Sequence, residues 1–167
     1  LFVWSTHILY RSSHQEIYGG GELPFLEAEL KKKLLNLNKI PDLKNDDILH
    51  FVLDCKNQYL EKISNYDLSK KIFTDKTCLN FRFIGFIKHI FPQAKIINCN
   101  RDPMDVIWSN FKNYFSKSMP LTNDLNDIGS IYNLYKDLMS FWRKKFPNFI
   151  YDINYSSLVN NPKPEIE

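Results

Sequence analysis

The run Ala94-Lys95-Ile96-Ile97-Asn98-Cys99 passes straight into Asn100-Arg101-Asp102-Pro103, and this joint constrains the fold more than any other feature. A short apolar, β-branched run reads as a strand. Asp102 suits a helix N-cap, and Pro103 suits the first helical position, where a missing N–H costs nothing. The spacing predicts a strand that turns directly into a helix running to about Ser116. Such a joint is the building unit of a layered α/β fold.

Other segments repeat the alternation. Lys71–Lys76 and Phe149–Ile153 read as further strands, the second followed by a turn at Tyr155-Ser156-Ser157. A turn at Gly19-Gly20-Gly21 leads to Pro24, which suits the start of a helix through FLEAELKKKLLNL. After a break at Pro41 and the pair Asp46-Asp47, a helix is expected with Ile48, Phe51, Val52, Cys55, Tyr59 and Ile63 on one buried face. Phe81–Phe91 reads as a helix closed by Pro92. Asp124–Phe146 reads as the longest helix, with Ile128, Ile131, Tyr132, Tyr135, Leu138, Met139 and Trp142 as its apolar face. The order predicts an α/β fold with a mostly parallel sheet and one domain over residues 1–167. In such sheets ligands sit beyond the carboxyl ends of the strands. That rule directs attention to Asp75-Lys76, Asn100-Arg101 and Asn154-Tyr155.

Composition narrows the classes. A hydrophobic share of 44% with thirteen Phe and nine Tyr supports a packed core rather than disorder. A formal net charge of +3 fits either an ordinary soluble surface or attraction of an anionic ligand. No Lys/Arg run interleaved with aromatics gives a signal for nucleic acid. The three cysteines, Cys55, Cys78 and Cys99, form no CxxC pair, so reduced thiols and a cytoplasmic location are expected. The four histidines lack metal-ligand spacing, so no metal is expected. No apolar run reaches the roughly 20 residues of a membrane span.

Arg101 at a strand end offers a bidentate fork for phosphate, and the following helix start favours an anion. Asp105 and Ser109 lie four apart, hence on one helix face. From spacing alone, Arg101 reads equally as a solvated loop residue and Ser109 as a surface hydroxyl. Arg, Asp-Pro and Asp, with Ser eight residues after the Arg, resemble the motif by which sulfotransferases hold the 3′-phosphate of 3′-phosphoadenylyl sulfate (PAPS). Four more segments fall in the family's order: GGGEL at Gly19–Leu23, TDK at Thr74–Lys76, FPQAKII at Phe91–Ile97 and YSSLVNNP at Tyr155–Pro162. The helix carrying YNLYKDLMSFW is similar to one in the bacterial, tetratricopeptide-associated and tyrosylprotein branches.

The resemblance implies a P-loop-NTPase-like three-layer sandwich and sulfuryl transfer from PAPS to a hydroxyl or amine acceptor. It places Arg101, Ser109 and Tyr155 on the 3′-phosphate, Glu22 as the base that deprotonates the acceptor, and Lys76 on the transferring group. PAPS or its product adenosine 3′,5′-bisphosphate (PAP) and a hydroxyl-bearing acceptor are the implied partners. Unaided by the resemblance, Glu22 reads as a helix-start carboxylate favouring the dipole, and Lys76 as a surface residue after a strand.

One family element has no counterpart. The Gly-rich loop for the 5′-phosphosulfate, which follows the family's first strand, should occupy about the first half-dozen residues, where LFVWST stands without Gly, Lys or Arg. Ser5-Thr6 is the nearest remnant of a hydroxyl pair. With Leu in first place instead of Met, the reading expects an N-terminally truncated or degenerate member with weak or absent activity. The same lack speaks against a P-loop kinase and leaves a non-catalytic nucleotide-binding or protein-interaction domain as the alternative.

Overall fold

A computed structural model of the chain describes residues 15–37, 45–66, 68–113 and 123–166. The expectations for Leu1–Tyr10, Arg11, Ser12–His14, the break at Pro41 and the helix end near Ser116 lie outside the described residues. The chain forms two compact units, one within Ser5–Ala94 and one within Lys95–Glu167.

In the first unit, β1 (Ile17–Gly19) and β2 (Ile72–Thr74) pair in parallel, with Ile17, Tyr18 and Gly19 facing Ile72, Phe73 and Thr74. Parallel strands require a long crossover. Here the crossover contains α1 (Phe25–Leu37) and α2 (Asn45–Ile63), which pack together. A 3-10 helix (Cys78–Phe83) and α3 (Ile84–Ile90) follow β2. Phe51, Cys55, Tyr59 and Ile63 recur every fourth position on α2 and are buried, as are Leu26 and Leu30 of α1 and Ile84, Ile87 and Ile90 of α3. Charged side chains tie this packing at its edge: Lys62 reaches the buried Glu29 at 2.6 Å, and Glu27 takes Lys31 and Arg82 at 2.6 and 2.8 Å.

Three details depart from the sequence reading. Ile48 is 44% exposed, because the buried stripe of α2 begins one turn later at Phe51. The predicted helix Phe81–Phe91 begins as the tighter 3-10 form three residues earlier. β1 was hidden because only three residues pair, the last of them Gly19 of the expected turn, too few to show an alternating pattern.

In the second unit, β3 (Ile96–Asn100) and β4 (Ile150–Asn154) pair in parallel from Ile96 opposite Ile150 to Asn100 opposite Asn154. Between them run α4 (Pro103–Lys112) and α5 (Leu125–Lys145), which pack on each other. Val106, Ile128, Tyr135, Met139 and Ile153 are buried. Asp124 caps α5 by accepting from the amides of Asn126 and Asp127 at 2.7 and 3.1 Å. Asn148 takes a left-handed φ of 62° in the turn into β4, a conformation Asn tolerates. The expected turn at Tyr155–Ser157 is instead the start of α6 (Tyr155–Asn160), because Asn154 Oδ1 accepts from Ser157 N at 3.0 Å and caps it. A short helix, α7 (Lys163–Ile166), follows.

Helices with parallel strand pairs make this an α/β architecture. One face of the β3–β4 pair is polar. Asp152 Oδ1 accepts from the amides of Asn98 and Asn100 at 2.7 and 3.0 Å and from Arg143 Nη2 at 2.6 Å, while Arg143 Nε reaches Oδ2 at 2.9 Å. Tyr135 donates to Asn98 Oδ1 at 2.8 Å. Burial alone raises the Asp152 pKa, but the bonds from Arg143, Asn98 and Asn100 outweigh it and hold the carboxyl below its usual range. A depressed carboxyl adds stability above its unfolded pKa, and that stability is lost as pH falls through the folded value. Asp152→Ala is therefore expected to cost about 1–2 kcal/mol at neutral pH, since solvent and salt screen an exposed pair. The cost should vanish in acid below the carboxylate range, which urea denaturation at two pH values would check.

Candidate functional site

The first unit positions a carboxylate against an ammonium. Beyond β1, Gly20 N donates to Thr74 O at 2.9 Å, and Lys76 N donates to Gly21 O at 2.7 Å, so the two strands remain stitched past their ends. Gly21 has φ +71°, where an L side chain is strained. At Gly20 an added Cβ would meet Phe73 Cζ at 2.6 Å and Thr74 O at 2.7 Å. Phe73 cannot swing away readily, because its ring stacks on Tyr18 at 5.6 Å and meets the edge of Tyr66 at 6.0 Å. Gly20→Ala is accordingly expected to cost about 1–3 kcal/mol, read as a shift in denaturation midpoint.

The chain then presents Glu22, whose Oε1 accepts from Lys76 Nζ in a close ion pair. The Glu22 side chain is 57% exposed and that of Lys76 32%, so the pair faces solvent and is reachable. Glu22 lies three residues ahead of α1, and its carboxylate is directed at Lys76. The two expected reacting residues are thus brought together. Cys78 Sγ lies 3.8 Å from Glu22 Oε1, and burial, reinforced by Glu22 and opposed by Lys76, pushes the thiol pKa up. A neutral thiol there is a poor nucleophile.

Sequence reasoning missed what braces this pair. Asp75 Oδ1 accepts from Thr77 N at 2.9 Å and lies 2.7 Å from Thr77 Oγ1, an Asx-type turn. Asp75 Oδ2 accepts from the buried Tyr59 hydroxyl at 3.1 Å. Burial, with the Asp75 charge added, pushes the Tyr59 pKa far above its ordinary value, so the phenol remains a donor. The Asp-x-Thr spacing was the legible signal; the partner on α2 was not.

The second unit carries the other three residues. Arg101 follows the carboxyl end of β3, and its Nε and Nη2 each lie 3.2 Å from Asp105 Oδ2. Its guanidinium sits over the Tyr155 ring, 5.0 Å from the centroid, a cation–π contact. Ser109 lies one turn beyond Asp105 on α4 and is half-buried. Arg101 and Tyr155 therefore meet, and Ser109 lies further along the same helix. One expected contribution is altered: the first-turn amides of α4 are already engaged. Met104 N and Asp105 N donate to Asp102 Oδ1 at 2.8 and 3.2 Å, Val106 N donates to Asp102 O at 3.1 Å, and Pro103 has no N–H. The cap that starts the helix also satisfies the donors an anion would have used, leaving Arg101 as the charged fork. Among the described residues no group of three or more His, Cys, Asp or Glu is placed to hold a metal ion, and no helix is long and apolar enough to cross a membrane.

Comparison with known proteins gives two matches. A family model described as "Sulfotransferase family" matches residues 11–167. An uncharacterized protein of Aquifex aeolicus (strain VF5) is 32% identical over 164 residues, covering 92% of this chain and 22% of that protein. The chain thus spans about a fifth of that relative's length.

Proposed function

The chain belongs to the sulfotransferase family, and we propose that it transfers a sulfuryl group from PAPS to a hydroxyl- or amine-bearing acceptor. The observation that carries this reading is the solvent-facing Glu22–Lys76 pair, held on two hydrogen-bonded segments that continue β1 and β2 beside a glycine turn. A carboxylate in reach of solvent can take the acceptor's proton, and an ammonium beside it can meet the charge that develops during transfer.

The step balances as an in-line displacement. The acceptor oxygen or nitrogen forms a bond to sulfur while its proton passes to Glu22. The bond between sulfur and the bridging oxygen of the 5′-phosphate breaks, and PAP leaves with the electron pair. Lys76 has three N–H donors, so it can keep Glu22 oriented while a second donor meets a sulfuryl or bridging oxygen. Sulfuryl transfer spreads charge as phosphoryl transfer does, so positioning and a fixed cation supply most of the effect.

Arg101 takes the 3′-phosphate, with Tyr155 supporting the guanidinium from below and Ser109 adding a hydroxyl from α4. Purified chain incubated with radiolabelled PAPS and a panel of phenol, sugar and amine acceptors tests the reading. Labelled acceptor, formed slowly and only with protein present, supports it. PAP binding with no labelled product from any acceptor would overturn transfer and leave a nucleotide-binding domain.

A further inference from the structure

Glu22 and Lys76 are residues of different segments, 54 positions apart in sequence, and both side chains are long and face solvent. An exposed ion pair of this kind contributes little to its own geometry, since two flexible chains lose rotamer freedom for a screened attraction. Something else must fix the separation of their backbones. Two cross-links do so, one on each side. Ahead of Glu22, Lys76 N donates to Gly21 O at 2.7 Å. Behind it, Thr77 Oγ1 accepts from Leu23 N at 2.8 Å and lies 2.7 Å from Leu23 O. Residue 22 is therefore bracketed by bonds to residues 76 and 77, and Lys76 has no freedom to slide past it.

Thr77 is in turn held from behind. Asp75 Oδ1 grips both its amide and its hydroxyl, and Asp75 Oδ2 is anchored by Tyr59 from the buried face of α2. We propose that Tyr59, Asp75 and Thr77 form a positioning clamp that sets the Glu22 carboxylate against the Lys76 ammonium for the transfer step. The inference rests on the sulfuryl-transfer reading for its chemistry, but the geometry it asserts does not depend on turnover. None of the three clamp residues touches the reacting atoms; each acts through the backbone of Leu23 or the segment carrying Lys76.

A zero-length carbodiimide, which joins a carboxylate and an amine only when they touch, reads the clamp directly. In the wild-type chain, peptide mass spectrometry should find an isopeptide between Glu22 and Lys76 and another between the exposed Glu16 and Lys71, whose ion pair spans 3.8 Å between the segments entering β1 and β2. Thr77→Val removes the hydroxyl at nearly constant volume. It should cut the Glu22–Lys76 product about tenfold, leave the Glu16–Lys71 product unchanged as the measure of folding, and lower kcat by roughly 10- to 100-fold with KM for PAPS little altered. Thr77→Ser, which restores the hydroxyl, should recover both readouts. Asp75→Asn, retaining shape without charge, should fall between them.

Full Glu22–Lys76 coupling and an unchanged kcat in Thr77→Val would overturn the clamp. So would failure of Thr77→Ser to rescue while Glu16–Lys71 coupling is intact. A wild-type chain that couples Glu22 to Lys76 yet transfers no sulfate to any acceptor sinks the transfer reading instead, and with it the clamp's catalytic purpose.

Discussion

Glu22→Gln is expected to lower the rate of sulfuryl transfer by about 10²- to 10⁴-fold while leaving PAP affinity where it was. Gln keeps the length of the side chain, and its carbonyl oxygen can still accept from Lys76 as Glu22 Oε1 does. The substitution thus retains the contact and removes the base. Folding stability should move by only a few tenths of a kcal/mol, because a pair with one partner 57% exposed is well screened. Radiolabelled donor under single-turnover conditions keeps a slow reaction measurable in both proteins. A rate within tenfold of wild type would exclude Glu22 as the base. Equal losses in transfer and in PAP binding would point to a residue that organises the nucleotide site.

That separation of contact from chemistry was partly legible in the sequence. Strands at Ile72–Thr74, Ile96–Asn100 and Ile150–Asn154 fall where short β-branched runs placed them, because such runs suit a strand whatever surrounds them. Asp102-Pro103 and Asp124 announce their helices for equally local reasons: a side-chain oxygen two or three residues ahead of unpaired amides. What stayed hidden depends on distant partners. β1 exists only because β2 offers a parallel ladder to three residues with little pattern of their own. Tyr59 reads as one more apolar position on α2, and only the fold shows its hydroxyl on Asp75. The same limit applies at Tyr155, where Ser-Ser suggested a turn and the Asn154 cap produced a helix. At α4 the sequence pointed to an anion-binding helix start, yet the cap that makes the helix begin also engages its donors. Local rules placed the elements; the site depends on which elements meet.

With those amides engaged, the proposed role of Arg101 on the 3′-phosphate predicts that Arg101→Ala weakens PAP binding by roughly 100-fold or more in calorimetry. The guanidinium sits over the Tyr155 ring, 5.0 Å from its centroid, a contact that lowers the cost of ordering it for a bidentate contact. Asp105 holds the same group through Nε and Nη2, so other N–H donors of the five remain for a ligand. Arg101→Lys keeps the charge but loses the fork and the flat stacking surface, and should fall between wild type and Ala. Adenosine 5′-phosphate, which lacks the 3′-phosphate, completes a cycle. If Arg101 acts on that group, wild type should bind adenosine 5′-phosphate about as weakly as Arg101→Ala binds PAP, and the substitution should then cost little further. High salt should narrow the gap for PAP, since an exposed charge pair is screened. A wild-type chain that fails to distinguish the two nucleotides, or an Arg101→Ala chain that binds PAP unimpaired, would remove Arg101 from the donor site. Any PAP affinity would then have to come from groups other than this fork, and not from the amides of Met104 and Asp105, which already bond to Asp102.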